Sequence, residues 1–243
     1  MRTLIISDIH ANLTALLAVL KDAQPFDQVW CLGDVIGYGP DPNECIERLR
    51  SLPGLVCVKG NHDAAILGEI DVQTFNYEAQ ASLKWLESIL SLNSRRWLET
   101  LPKRKILENI SLVHGSPRNP IWEYVTDVMV ARANMSSFDT QICLIGHTHI
   151  PSIFLMEGDS ENAVRLNSLV PGEPFKIIDK AIVNPGSVGQ PRDYDPRASY
   201  LIFDDDTDQW THHRAAYNIP EVQERILEAG LPTRHAFRLE AGW

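Results

Sequence analysis

The sequence has few positive charges for its length. It carries 22 lysine and arginine residues against 32 aspartate and glutamate residues, which gives a formal net charge of −10. A surface of this charge does not attract a nucleic-acid backbone over a broad area, so broad nucleic-acid binding is not expected. A local pocket for a polyanion is still compatible with this charge if bound metal ions reverse the local sign.

Cysteine is also scarce, and the four cysteines contain no C-x-x-C pair. Cys31, Cys57 and Cys143 lie in apolar runs that are typical of strands. We therefore expect small buried side chains in a reducing compartment, and neither a disulfide framework nor thiol chemistry.

Long hydrophobic runs are absent. No apolar stretch approaches the roughly 18 residues that cross a bilayer. The first apolar run ends at once in Ser7-Asp8, which is unlike a signal peptide. These patterns predict a cytoplasmic protein that has no membrane partner.

The chain of 243 residues is long enough for one domain, 1–243, with a well-buried core. Up to about residue 60, apolar runs alternate with segments of helical periodicity. The runs are 4–6, 29–32 and 55–58, and the helical segments begin at Asn12 and at Asp41-Pro42. This alternation is typical of a parallel α/β sheet.

The remaining chain predicts a helical, cap-like block at about 64–101 within the domain, followed by further strands. A turn at Glu108-Asn109 separates two β-like runs, and a helix is expected over 126–135. After Pro151 the pattern is mostly β, with short runs that include 153–156, 176–178, 181–183 and 199–203, and a last helix over 220–227. The tail 231–243 has no interpretable pattern. Two packed sheets are the simplest architecture.

Five short polar motifs interrupt this framework, most of them where an apolar run stops. Side chains in that position face the crevice at the carboxyl edge of a parallel sheet. The motifs are Asp8-Ile9-His10, Gly33-Asp34, Gly60-Asn61-His62-Asp63, His114-Gly115 and Gly146-His147-Thr148-His149.

The residue types in these motifs are suitable ligands for two borderline divalent or trivalent ions such as Mn, Fe or Zn. Asp8 and His10 share a face because they are two apart on an extended segment, and His147 and His149 do the same. The two oxygens of Asp34 suit a bridge between ions about 3.5–4 Å apart. The neighbouring glycines are expected to allow close turns and positive φ angles.

Each motif alone is more often an ordinary cap or turn. All five together, in this order, resemble the calcineurin-like metallophosphoesterase superfamily, whose pattern is D-x-H, G-D, G-N-H-[DE], H and G-H-x-H. The segment Asn184–Arg192 also looks like the small bacterial and archaeal phosphodiesterase-like branch.

The resemblance implies an α/β fold, a four-layer sandwich of two mixed β-sheets flanked by helices. It also implies two metal sites that share Asp34. One ion would be held by Asp8, His10, Asp34 and His149, and the second by Asp34, Asn61, His114 and His147.

The implied activity is hydrolysis of phosphodiester or phosphoanhydride bonds by a hydroxide that the two ions activate. The expected partner is a small nucleotide-like phosphate ester, which includes asymmetric cleavage of dinucleoside polyphosphates. We expect His62 to act as general acid, with Asp63 orienting its ring. The alternative for His62 is a supporting hydrogen bond without a catalytic role.

One stretch departs from part of the superfamily. Protein phosphatases and symmetric dinucleoside tetraphosphatases resemble G-D-x-V-D-R-G there, whereas this chain has Gly37 and Tyr38 in place of the acid and the arginine. The bidentate phosphate clamp is therefore missing at that position. Arg192 is a candidate phosphate contact, unless it pairs with Asp193 or Asp195. Tyr38 is a candidate for nucleobase stacking, with core packing as the alternative.

Three other functions remain as alternatives. A serine/threonine-type protein phosphatase ranks lower because the arginine is missing. A non-catalytic scaffold of the same fold ranks lower because His62 and all seven ligands are present. A DNA nuclease is disfavoured by the net charge of −10. The choice among Mn, Fe and Zn, the natural substrate and the oligomeric state stay open at this point.

Overall fold

Twelve strands and eight helices are formed by residues 1–158 and 163–243, which are the residues that the computed structural model describes. The strands are β1 Arg2–Ile6, β2 Gln28–Cys31, β3 Val56–Cys57, β4 Arg104–Leu107, β5 Ile110–Val113, β6 Ile142–Leu144, β7 Ser152–Met156, β8 Val164–Asn167, β9 Pro174–Phe175, β10 Ala181–Asn184, β11 Ala198–Asp204 and β12 Gln209–Ala215. The helices are α1 Leu13–Asp22, α2 Pro42–Arg50, α3 Asn61–Ile66, α4 Tyr77–Ile89, α5 Leu92–Thr100, α6 Val128–Asn134, α7 Ile219–Glu228 and α8 Thr233–Ala241.

The strands form two mixed sheets of six strands each. Their orders are β3-β2-β1-β11-β12-β9 in the first sheet and β4-β5-β6-β10-β7-β8 in the second. Strands β1, β2 and β3 are parallel to one another, as are β5, β6 and β10. Each sheet therefore has three parallel strands whose carboxyl ends reach one edge.

The side chains of β1 show how the sheets are layered. Ile5 joins a buried cluster between the two sheets, whereas Leu4 and Ile6 point the other way and pack with α1 and α2. On the far face of the second sheet, a further cluster packs against α6. The order helix, sheet, sheet, helix confirms the predicted four-layer sandwich of two mixed β-sheets flanked by helices.

The local signals for the first helices are also confirmed. The side chain of Asn12 accepts a hydrogen bond from the Ala15 amide at the start of α1, and Pro42 lies in the first turn of α2. The block predicted as helical contains α3, α4 and α5, with a short 3₁₀ turn at Val72–Thr74. Leu83 and Leu86 of α4 pack into the same cluster as α1 and α2.

The strand predicted at 176–178 is wrong. Residues Pro174–Phe175 form the edge strand β9 instead, and the following residues leave the sheet. The side-chain amide of Gln141 donates to the carbonyls of Ile177 and Ile178, so these groups have a partner outside any strand ladder. An apolar run this short does not identify a strand by itself.

The tail that gave no pattern forms the helix α8. Ala236 and Leu239 of this helix pack against Val222 and Ile226 of α7, where they form a small cluster of their own. This packing places α8 beside the loops that follow β2 and β10.

The four cysteines are buried and free, as the sequence predicts. Among the residues that the structure describes, none of the helices has both the length and the apolar character needed to cross a membrane.

Candidate metal centre

The carboxyl ends of the parallel strands bring all seven predicted ligands into one buried pocket. Asp8 follows β1, Asp34 follows β2, and Asn61 lies just beyond β3. His114 follows β5 directly, and the pair His147 and His149 follows β6. All seven side chains are at most 3% exposed. The edge shared by the two sheets is therefore lined with oxygen and nitrogen donors.

The first group of donors consists of Asp8, His10, Asp34 and His149. The Nε2 atom of His10 lies 3.0 Å from Nε2 of His149 and 3.6 Å from Oδ2 of Asp34. Nε2 of His149 lies 3.3 Å from Oδ1 of Asp8. This group matches the first ligand set that the resemblance implies.

The second group consists of Asp34, Asn61, His114 and His147. The Nε2 atom of His114 lies 3.3 Å from Oδ2 of Asp34, 2.9 Å from Oδ1 of Asn61 and 3.2 Å from Nδ1 of His147. Oδ2 of Asp34 is thus close to both groups, which is the position of a bridging ligand.

The imidazole rings of these groups fit metal ligands because each is held by a backbone carbonyl on its outer side. The four pairs are His10 Nδ1 with Ile36 at 3.3 Å, His114 Nδ1 with Leu32 at 2.9 Å, His147 Nε2 with Trp122 at 3.0 Å and His149 Nδ1 with Gln190 at 2.6 Å. A carbonyl only accepts hydrogen bonds, so the outer nitrogen of each ring carries a proton, and the inner nitrogen is the one that can bind a metal ion when it is deprotonated. Lone pairs and carboxylates that converge in a buried pocket repel one another unless cations lie between them.

The pKa values in the pocket show how strongly its buried carboxylates and imidazole rings affect one another. Burial by itself raises the pKa of Asp34, but the charges of His114 and His62 outweigh it and hold that pKa well below its usual value. Burial lowers the pKa of His114, yet the Asp34 carboxylate outweighs it and the pKa rises to about 9. For Asp8, burial raises the pKa to about 7. The pocket gathers positive charge around its carboxylates.

Five of the ligands have a left-handed backbone conformation. The φ angles are 53° at Asp8, 48° at His10, 50° at Asp34, 66° at His147 and 62° at His149. This region is costly for residues other than glycine, and such strain concentrates at functional sites. The chain turns sharply at each strand end, which points these side chains to one centre.

Three of the four glycines beside the ligands serve a different purpose from the positive φ angle that the sequence predicts. Of the four, only Gly33 has a positive φ, at 94°. A Cβ atom at Gly60 would lie 2.1 Å from Oδ1 of Asp34, and one at Gly146 would lie 2.0 Å from Oγ of Ser7. At Gly115 it would lie 2.7 Å from the Asn119 carbonyl. These three positions need glycine because neighbouring atoms leave no room for a side chain.

His62 lies against the first group without belonging to either ligand set. Its backbone amide donates to Oδ1 of Asp34 at 2.9 Å, and its ring Nε2 is hydrogen-bonded to the Tyr38 hydroxyl at 3.1 Å. Its Nδ1 is buried and has no hydrogen-bond partner among the described residues. Burial lowers the pKa of His62 to about 4, so the ring is neutral near pH 7.

Asp63 holds the backbone around the site. Its carboxylate accepts hydrogen bonds from the amides of Gly60 at 2.9 Å and Val35 at 3.1 Å. It thereby ties the start of α3 to the loop after β2. The His62 ring is hydrogen-bonded to the Tyr38 hydroxyl and not to Asp63, and the rings of His10 and Phe75 also pack against it.

Arg192 lies on the same side of the pocket as Tyr38. The centre of its guanidinium is 5.8 Å from the centroid of the Tyr38 ring, and its Nη2 donates to Oε1 of Gln190 at 2.9 Å. Asp193 and Asp195 do not pair with it, because Arg214 binds Asp193 and Arg197 binds Asp195. The surface pairing considered for Arg192 is thus not formed.

The ring of Tyr38 is packed and has little free surface. Its centroid lies 4.6 Å from that of His10 and 4.7 Å from that of His235, and the residue is 8% exposed. Core packing thus describes this ring better than nucleobase stacking does. Tyr124 is 46% exposed and stacks on His147 with a centroid distance of 3.7 Å.

Two residues beside the site have no signal in the sequence motifs. His235 and Arg238 are three residues apart on α8, so they share a face of the helix. His235 contacts the Tyr38 ring, and its Nδ1 is buried without a hydrogen-bond partner in the described residues. An amphipathic pattern over 231–239 would have predicted the helix, but only the packing on α7 places it here.

The comparisons with known proteins agree with this geometry. A family model described as the calcineurin-like phosphoesterase superfamily domain matches residues 1–208. The crystal structure of a metallophosphoesterase from Sphaerobacter thermophilus is 45% identical, with a TM-score of 0.91 over 100% of this chain and 99% of that chain. An uncharacterised protein from Methanocaldococcus jannaschii is 36% identical over 98% of this chain and 97% of its own length.

Part of the chain is also similar to proteins whose names state an enzymatic activity. A symmetrical bis(5'-nucleosyl)-tetraphosphatase from Yersinia enterocolitica is 30% identical over 54% of this chain and 47% of that protein. The match therefore spans about half of each protein. The family model and the nearly full-length relatives together show that this chain belongs to the calcineurin-like phosphoesterase superfamily.

Proposed function

We propose that this protein is a hydrolase that cleaves phosphodiester or phosphoanhydride bonds of a small nucleotide-like substrate with the help of two metal ions. The observation that carries the proposal is the pair of donor groups that share Oδ2 of Asp34. The first group would hold one ion, and the second group, with Asn61 and His114, would hold the other.

The donor chemistry of the two groups fits Mn or Fe best, with Zn as a further candidate. When bound, two such ions supply Lewis acidity that lowers the pKa of water and offsets negative charge on a phosphoryl group. The chain contributes the geometry, because the carbonyl-bound rings and the turned backbone hold every donor in place before an ion arrives.

His62 is suited to handle the proton of the leaving group. It is close enough to the pocket for one ring nitrogen to lie within 4.8 Å of the donor atoms of His10 and Asp34. A phosphate anion beside the ring raises its pKa from about 4, because a negative charge favours the protonated form. The protonated ring then donates to the leaving oxygen, which is general acid catalysis.

Tyr38 and Asp63 support His62 from two directions. The Tyr38 hydroxyl fixes the ring through its bond to Nε2, whereas the Asp63 carboxylate fixes the backbone on which His62 is carried. Both act as positioning residues. Arg192 is placed to contact a phosphate oxygen, because neither neighbouring aspartate neutralises it.

A small phosphate ester is favoured as substrate over a protein or a nucleic acid. The Yersinia relative is named for hydrolysis of a dinucleoside tetraphosphate, and the net charge of −10 disfavours a long polyanion. Tyr124 offers an exposed aromatic face next to His147, which suits a nucleobase.

The test is a metal analysis combined with a substrate screen in Mn. We expect two ions per chain, and turnover of a bis-aryl phosphate or a dinucleoside polyphosphate well above that of a phosphopeptide. Faster turnover of the phosphopeptide would favour a protein phosphatase. Two bound ions without any turnover would favour a scaffold.

A further inference from the structure

A cavity of about 510 Å³ lies between the two sheets, at the end opposite the metal centre. Its walls come from the starts of the parallel strands, whereas the ends of the same strands lead to the metal ligands. The lining residues at or next to these starts are Thr3 in β1, Gln28 in β2, Ile110 in β5 and Ile142 in β6. The length of the strands therefore separates this cavity from the donor groups.

The inner part of the cavity is aromatic and apolar. Trp30, Phe203 and Trp210 line it, and the rings of Phe203 and Trp210 stack with their centroids 4.3 Å apart. Trp30 is only 6% exposed, and Trp210 only 1%. Cavities of this size and lining are typical of small-molecule sites, where a few polar groups orient an apolar ligand.

The indole Nε1 of Trp30 is buried and has no hydrogen-bond partner in the part of the chain that the structure describes. The neutral polar side chains around the cavity bond to one another instead. The amide of Gln28 donates to the Thr3 hydroxyl at 2.8 Å, and the amide of Asn109 donates to Oε1 of Gln141 at 3.1 Å. An indole N–H can only donate, and a buried donor without a partner is costly. An acceptor oxygen on a ligand in the cavity removes this cost.

The mouth of the cavity has more negative than positive charge. The exposed charged side chains that line it are Glu108, Asp205, Asp208 and Lys105. None of these four forms an ion pair within the described residues, and the amino group of Met1 is paired with Asp206 at 3.1 Å. Three carboxylates and one ammonium group attract a cation and repel an anion, although solvent and salt weaken the effect.

We propose that this cavity binds a small protonated aromatic amine that also carries an oxygen acceptor. The ring packs against the aromatic side chains, the oxygen accepts a hydrogen bond from Nε1 of Trp30, and the ammonium group faces the carboxylates at the mouth. This site goes beyond the proposed function, because it uses neither the metal ligands nor a phosphate ester.

The test compares three probes of similar size by NMR titration of the isotope-labelled full chain. Tyramine has a ring, a phenol oxygen and an ammonium group. Phenethylamine lacks the oxygen, and para-hydroxyphenylacetate has a carboxylate where tyramine has its ammonium group. We expect tyramine to shift the indole N–H signal of Trp30 and to bind about five-fold more tightly than phenethylamine. It should bind about three-fold or more tightly than para-hydroxyphenylacetate.

Trp30→Phe identifies the Trp30 signal and removes the donor while it keeps an aromatic ring in the wall. Trp97→Phe is the matched control, because this tryptophan lies on α5, outside the cavity. We expect Trp30→Phe to bind tyramine and phenethylamine equally, and Trp97→Phe to keep the preference for tyramine. Asp205→Asn combined with Asp208→Asn should weaken the binding of both amines about two-fold to three-fold.

The proposal is overturned if tyramine leaves the Trp30 signal unshifted, or if the three probes bind equally or not at all. A preference for tyramine over phenethylamine that persists in Trp30→Phe also contradicts it. If the phenylalanine variant does not fold, the shift of the Trp30 signal in the unchanged protein decides, because that signal reports on the N–H itself.

Discussion

The metal pocket lies against a wall formed by Tyr38, Arg192 and His235, and the two regions are built from different contacts. The pocket brings together two carboxylates and four imidazole rings, a donor set that suits metal cations. In the wall, the rings of Tyr38 and His235 are in contact, and Arg192 lies near the Tyr38 ring without pairing with Asp193 or Asp195. The pocket thus depends on polar donors at strand ends, whereas the wall depends on the packing of side chains from separate segments.

The strongest way to break the pocket while leaving the wall intact is Asp34→Asn. This carboxylate lies next to both donor groups, so we expect loss of bound metal and of measurable turnover, checked by metal analysis and steady-state kinetics. Asp139→Asn, a change at an exposed aspartate, serves as control. Full metal content in Asp34→Asn would refute the shared-ligand assignment.

His62→Asn tests the residue that lies between the two regions, bonded to Asp34 on one side and to Tyr38 on the other. Because His62 is outside both ligand sets, we expect both ions to remain while kcat falls about a hundred-fold or more. The comparison is with His213→Asn, which changes a half-buried histidine stacked on Tyr200. Unchanged kcat with metal in place would leave His62 with a supporting role only.

Gly60→Ala probes how tightly the pocket is built. The added Cβ would meet Oδ1 of Asp34 at 2.1 Å, so the loop or the carboxylate must shift. We expect weaker metal binding and a loss of roughly 1–3 kcal/mol in the free energy of unfolding. At Gly68 the space around an added Cβ is open but φ is 76°, so Gly68→Ala should lose some stability and keep its metal affinity. Equal metal affinity in the two variants would contradict this account.

Tyr38→Phe removes only the hydroxyl that holds the His62 ring. The ring packing of the wall remains, so we expect a modest fall in kcat, about ten-fold or less, with unchanged metal content. Tyr77→Phe, at a residue that is 82% exposed, is the control. A fall as large as that of His62→Asn would mean that the hydroxyl itself takes part in the proton transfer.

The smallest expected effect is on the free energy of unfolding at acid pH, through His235 of the wall. Burial lowers the pKa of His235 to about 4, so this ring gains a proton on unfolding between about pH 6.5 and pH 4. Its contribution to stability is complete above about pH 6.5 and is lost as the pH falls toward 4. In this window the free energy of unfolding should fall by at most about 1.4 kcal/mol per pH unit from this group.

His235→Gln should therefore flatten the pH dependence, as measured by urea unfolding from pH 4.5 to pH 7. Phe237→Gln is a suitable comparison, because this exposed residue lies on the same helix and has no titratable group. If the slope for His235→Gln equals that of the unchanged protein, His235 is not buried as a neutral ring.

The pocket was predictable from the sequence because its residues follow local signals. Apolar runs mark the strands, and a polar residue after a parallel strand lies at the carboxyl edge. This logic places Asp8, Asp34 and His114 without knowledge of any long-range contact. It fails at residues 176–178, where a short apolar run bonds to Gln141 and leaves the sheet.

The wall was not predictable because its contacts join segments that are far apart in the chain. The local sequence around Arg192 offers Asp193 and Asp195 as partners, and only the approach of Arg214 from β12 removes the first of them. The contact of His235 with Tyr38 depends on the docking of α8 against α7.

The sequence by itself determined the donor inventory and the strand ends that carry it, because both depend on residue type and local periodicity. The four-layer α/β sandwich followed from the family resemblance that these motifs carry. Only the tertiary structure decided which imidazole nitrogen faces the pocket, that Tyr38 contacts His62, and that Arg192 lies beside His149 without pairing with Asp193 or Asp195. These features depend on distances between side chains from separate segments, and packing alone sets those distances.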